Sequence, residues 1–116
     1  MKDISISIPK ADNPEKLSGK ALYVSDIEMP GLYYAKTLRS TKPRAKIQVI
    51  KPKLPEDYFI IDYHDLPQKN VVKMIFDDWK IFADDEVNYI GEPILLVIGK
   101  DKTIIDQILK EIEVLY

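Results

Sequence analysis

Five consecutive apolar residues at positions 94–98 (ILLVI) are followed, after Gly99 and Lys100, by an aspartate and then by isoleucine and leucine at helical spacing. No other stretch limits the fold so tightly. A run that is apolar at every position has no wet face, so it belongs inside a sheet with cover on both sides. The next segment supplies that cover. Ile104, Ile105, Ile108, Leu109 and Ile112 fall on one side of a 3.6-residue helix, while Asp106, Gln107, Lys110 and Glu111 take the other. Asp101 stands at the N-cap, where a carboxylate accepts backbone N–H groups that the first helical turn leaves unpaired. EVLY then reads as a short return strand.

The rest of the chain is punctuated by single glycines and prolines, without repeats or low-complexity tracts. Ile4, Ile6 and Ile8 alternate with serine, the period of a strand with one apolar face, and Pro9 ends it. ADNPEKLSGK reads as a loop. Residues 21–24 and 32–40 read as strands on either side of DIEMPG, in which Pro30 and Gly31 suit the central positions of a type II turn. Residues 47–50 and YFIID add two short strands, and HDLPQKN turns the chain. Many short strands with one well-patterned helix make an α+β domain.

Composition narrows the chemistry. The 116 residues are 46% hydrophobic and 31% charged, the balance of one globular core. With no cysteine, disulfides, thiolate metal sites, cysteine-held iron–sulfur clusters and cysteine nucleophiles are all excluded. With His64 as the only histidine, the usual first-row metal ligand sets are excluded too. No segment approaches the roughly 18 apolar residues of a membrane helix, and MKDISISIPK has no apolar targeting core, so a cytoplasmic protein without a membrane partner is expected. Ser18-Gly19-Lys20-Ala21 has the Gly-Lys pair of a phosphate loop, but Pro14 replaces the first glycine and Ala21 has no hydroxyl for a metal ion. Neither GxGxxG nor GxSxG occurs.

Four features remain to be weighed. His64 lies between Tyr63 and Asp65, an arrangement that permits a base oriented by a carboxylate; neighbours in sequence point apart, however, and no nucleophile accompanies them. Asp77, Asp78, Asp84, Asp85 and Glu86 lack the spacing of a calcium loop and read as a solvated acidic loop around Trp79. The tyrosines, Tyr33, Tyr34, Tyr58 and Tyr63 among them, suit core edges better than a base-stacking platform, and with a net charge of −2 no nucleic-acid partner is expected. Residues 36–53 hold seven bases and no acid. That strip is either a docking face or a sheet edge kept soluble by lysine. Taken alone, these residues describe a binding or scaffolding domain without a reaction of its own.

Two stretches carry a resemblance. Residues 16–40 (KLSGKALYVSDIEMPGLYYAKTLRS) are similar to the opening of the large, molybdenum-binding subunit of the xanthine dehydrogenase, aldehyde oxidase and carbon monoxide dehydrogenase family. Residues 82–97 (FADDEVNYIGEPILLV), with the following helix and EVLY, resemble the segment closing that subunit's first domain. The resemblance implies an α/β hammerhead, a curved mixed sheet with one principal C-terminal helix, filling residues 1–116 as a single domain. Two departures stand out: Glu92 takes the place of the family's usual glutamine, and residues 51–58 are shorter than the relatives' apolar stretch.

In that family the molybdopterin loops and the catalytic glutamate lie in later domains, absent here. The resemblance therefore assigns this chain no catalytic, cofactor-binding or metal-binding residue. It implies a structural and assembly part of an oxidoreductase, a fragment or split subunit inactive alone. Molybdopterin, iron–sulfur clusters and FAD belong to the complete enzyme. Expected partners are the remaining molybdopterin-binding domains and the other hydroxylase subunits, with self-association through surface left bare. Arg39 and Arg44, in the basic strip, are the candidate contact residues. The rival expectation is a free-standing interaction module that kept the fold without the enzyme.

Overall fold

The computed structural model describes residues 7–116. Their elements are, in chain order, helix α1 (Asn13–Leu17), strands β1 (Tyr34–Arg39), β2 (Ala45–Lys46), β3 (Gln48–Ile50), β4 (Phe59–Ile61), β5 (Glu86–Val87) and β6 (Pro93–Gly99), helix α2 (Lys102–Glu111) and strand β7 (Glu113–Leu115). Single 3-10 turns occur at Val24–Asp26 and Tyr63–Asp65. The described chain divides between Pro30 and Gly31 into two compact units.

In the first unit, the loop expected over residues 11–20 contains α1. Pro14 lies in its first turn, where a missing N–H breaks no helical bond, and Glu15 answers the positive helix N-terminus. The strand expected at residues 21–24 does not form. Asp26 accepts the Tyr23 N–H at 3.0 Å and donates its own N–H to the Tyr23 carbonyl at 2.9 Å, so the backbone is consumed in a turn. Ile4 and Ile6 lie outside the described residues, and Ile8 belongs to no strand.

The second unit carries the α+β fold. Gly31 has φ +79°, the left-handed conformation that the third position of a type II turn demands. Strand β6 is central in a three-stranded sheet, β1-β6-β4, with Leu38 opposite Leu95 and Ile60 opposite Val97. Strands β3 and β7 form a second pair, Val49 opposite Val114, and β2 and β5 a third, Ala45 opposite Val87. All described ladders are antiparallel, so the single mixed sheet expected is realised as three antiparallel pieces.

Helix α2 packs on β6 and β1. Its buried Ile105 and Ile108, with Ile112 just beyond, meet Ala83, Val87, Ile94, Leu95 and Val97 to make the core. Asp101 caps the helix as its position predicts, accepting from Thr103 N–H at 2.6 Å and Ile104 N–H at 3.3 Å. The expected cover on both faces of residues 94–98 is incomplete. Leu95 and Val97 are sealed by the core, whereas on the opposite side of the pleat Ile94 is buried but Leu96 and Ile98 are only half-buried.

At the end of β6 the Tyr58 ring occupies the space that a side chain on residue 99 would need, and its hydroxyl accepts the Asp101 N–H at 3.2 Å. Gly99→Ala should therefore displace Tyr58 and cost about 1–3 kcal/mol through overpacking. Urea unfolding checks this: adding Tyr58→Leu to Gly99→Ala should recover part of the loss, whereas Tyr58→Leu alone should not stabilise.

Candidate functional site

Strand β3, the Tyr63–Asp65 turn and residues 83–85 enclose a cleft of about 340 Å³ floored by Ala83, Ile94 and Leu95. At its rim Asp62 is buried. Its carboxylate accepts from Lys51 Nζ at 2.6 Å and from the His64 backbone N–H at 2.8 Å, and it lies 3.0 Å from His64 Nδ1. The partner of His64 is thus Asp62, two residues away, and not adjacent Asp65. The Asp65 carboxylate instead accepts the Asp62 N–H at 2.9 Å. The Tyr63 ring lies against the imidazole, centroid to centroid 3.8 Å, and with these bonds the arrangement is a knot that holds the turn.

Burial pushes the Asp62 carboxyl upward, but the Lys51 ammonium and the His64 donors outweigh it, so the group titrates below its ordinary 3.8. A lowered folded-state pKa gives stability that is complete above 3.8 and is lost as the pH falls through the folded value. Asp62→Asn should cost about 1–3 kcal/mol at neutral pH. Its acid unfolding, followed by circular dichroism, should be less steep than that of the parent chain.

The acidic residues do not form one group. Asp84 pairs with Lys80 at 2.6 Å, Glu86 with Arg44 at 2.8 Å, and Asp85 lies 3.5 Å from the Tyr63 hydroxyl. Among the described residues no three His, Asp or Glu side chains are placed to hold a metal ion. The two arginines of the basic strip also have intramolecular partners. Arg39 donates to the Gly91 carbonyl at 2.9 Å, and Arg44 has its pair with Glu86.

The segment read as a solvated acidic loop has a different character. Asn70 clasps Phe82 by both its amide groups, Nδ2 to the carbonyl at 2.6 Å and Oδ1 from the N–H at 3.0 Å. Val72 N–H donates to the Trp79 carbonyl at 2.7 Å. Beyond this base Met74, Ile75 and Phe76 stand 70%, 89% and 73% exposed, with Trp79 also exposed. Three neighbouring large apolar side chains thus stand in water. The signal was present in KMIFDDW, where apolar residues lie directly beside the acids.

A model of the family described as "Aldehyde oxidase and xanthine dehydrogenase, a/b hammerhead domain" matches residues 18–116. The chain belongs to this hammerhead family. Among its relatives are the nicotinate dehydrogenase large molybdopterin subunit of Eubacterium barkeri, 31% identical, and the carbon monoxide dehydrogenase large chain of Afipia carboxidovorans, 29% identical. The matches cover 92% and 84% of this chain, but only 26% and 13% of the respective relative. In structure the chain is similar to CO dehydrogenase from Oligotropha carboxidovorans, with a TM-score of 0.83 at 22% identity, over 94% of this chain and 14% of that one. The hammerhead fold that the resemblance implies is therefore present.

The described residues of this hammerhead chain do not fit a molybdopterin. They offer no metal-holding cluster, and the left-handed glycines 19, 31 and 91 sit singly at turns with no phosphate-cradling loop between them. The N-terminus of α2, the ten-residue helix, is already closed by the Asp101 carboxylate.

Proposed function

We propose that this chain acts as the hammerhead domain of a cytoplasmic molybdenum hydroxylase large subunit, supplying structure and assembly but no turnover by itself. The observation that carries the reading is the family match over residues 18–116, in relatives of which the domain is about a quarter or less. A domain of that proportion works by presenting surface to other domains, and inter-domain interfaces commonly bury about 600–1,500 Å² of rather polar surface. The molybdopterin, iron–sulfur and flavin chemistry belongs, on this reading, to polypeptide outside the sequence given. The purified chain should contain no stoichiometric molybdenum and should not oxidise xanthine or nicotinate. Turnover by this chain alone overturns the proposal.

Assembly has its own test. Co-expressed with the remaining large-subunit domains from the same organism, the chain should form a complex. If the basic strip is part of the contact, association should slow as salt rises, because screening weakens steering while leaving apolar burial intact. Arg39→Glu with Arg44→Glu should slow it further while leaving the fold unchanged. An unaltered, salt-insensitive rate removes Arg39 and Arg44 from the interface, and absence of any complex removes the assembly role.

A further inference from the structure

A second cleft, of about 340 Å³, is lined by Asp78, Trp79, Lys80, Asn88, Tyr89 and Glu92. Its charges do not cancel. Lys80 is committed to Asp84 at 2.6 Å. Glu92 is 3% exposed, and its carboxylate is held by the backbone N–H and the side-chain amide of Asn88, with no cation paired to it among the described residues. The nearest arginine in register, Arg39, is turned to the Gly91 carbonyl. A buried carboxylate without a counter-charge is costly, and the cost is relieved when a cation arrives. Trp79 and Tyr89 contribute two exposed aromatic rings to the same walls, the surfaces on which a planar guanidinium stacks.

We propose that this cleft is a docking site for an arginine side chain borne by a partner polypeptide. The complementary charge is what commits the site to that occupant: a buried acid, Glu92, and an exposed one, Asp78, between aromatic walls. The inference gives chemistry to a partner in the assembly role proposed above and rests on that role for its biological meaning.

Trp79 is the only tryptophan, so its emission reports on the cleft directly. The 116-residue chain is titrated with the capped peptide Ac-Leu-Arg-Leu-NH2 at millimolar concentrations, and with its citrulline counterpart, which keeps the shape and loses the charge. The arginine peptide should give a saturable change in Trp79 emission. The citrulline peptide should bind about tenfold more weakly, and so should the arginine peptide to Glu92→Gln, the loss expected when one charge-assisted contact is removed. Thermal unfolding establishes that the variant is folded; should Glu92→Gln not fold, exposed Asp78→Asn takes its place with the same expected weakening. No saturable change, equal affinity for the two peptides, or undiminished affinity in the folded variant overturns the proposal. Those results would leave the assembly reading standing, because complex formation with the remaining domains tests that reading separately.

Discussion

Ile108→Asp is expected to abolish cooperative unfolding of this chain at neutral pH. Ile108 lies on the inner face of α2 with Ile105, against Leu95 and Val97 of the central strand, and is almost wholly buried. Aspartate there places an unpaired carboxylate among isoleucine, leucine and valine, where nothing within the core can donate to it. Such a substitution costs more than about 4 kcal/mol, against a total stability on the order of 5–15 kcal/mol for a domain of ordinary size. Near-ultraviolet circular dichroism should lose its fixed aromatic signal, and the urea transition should disappear or become broad. Retention of a sharp transition at the parent midpoint would show that α2 is not a structural part of the core. Glu111→Gln, on the exposed side of the same helix, is the control and should leave the midpoint unchanged.

Leu95→Ala ranks second. Leu95 has no exposed surface, sits in the middle of β6 and faces Leu38 across the β1 ladder. Truncation removes buried carbon and leaves a void that neighbouring strands on both sides prevent from collapsing. Losses of about 2–5 kcal/mol are typical of such sites. The urea midpoint should fall while the slope is unchanged, since the same surface is exposed on unfolding. The comparison with Leu96→Ala is informative: Leu96 is on the half-covered side of the same strand, and its truncation should cost distinctly less.

The difference between Leu95 and Leu96 also shows what the amino-acid sequence reveals and what it hides. In a run of five apolar residues nothing distinguishes the sealed face from the half-covered one; only the pairing with β1 and β4 and the position of α2 do so. The helix and its cap were legible because their determinants are local: an isoleucine stripe, and a carboxylate two and three residues ahead of the N–H groups it accepts. Strands β1, β4 and β7 were legible for a similar reason, from short β-prone runs between turn residues. Residues 21–24 misled because they have the composition of a strand, while the competing hydrogen bonds from Asp26 count for nothing in a propensity argument.

The candidate surfaces were less visible. Apolar residues are ordinarily read as core, so the one sign that Met74, Ile75 and Phe76 face water is the acids directly beside them, which on their own point to charge. The pairing of His64 with Asp62 is an i, i−2 contact that depends on the turn conformation, whereas the sequence offers Asp65 equally. The concentration of base around Arg39 and Arg44 is plain in the sequence, but not the Gly91 carbonyl and Glu86 carboxylate that each one engages.

The Asn70–Phe82 clasp has a practical consequence for engineering. Because both ends of the intervening loop are tied to one another by the same side-chain amide, the distance its tip must span is set independently of its length. The entropic penalty of lengthening such a loop grows only logarithmically, about 0.6 kcal/mol for each doubling. A flexible insert between Phe76 and Asp77 should therefore be carried without disturbing the core. That junction becomes an attachment point for a purification handle or a fluorophore, one that reports on the apolar tip and leaves the sheet and helix to fold as before.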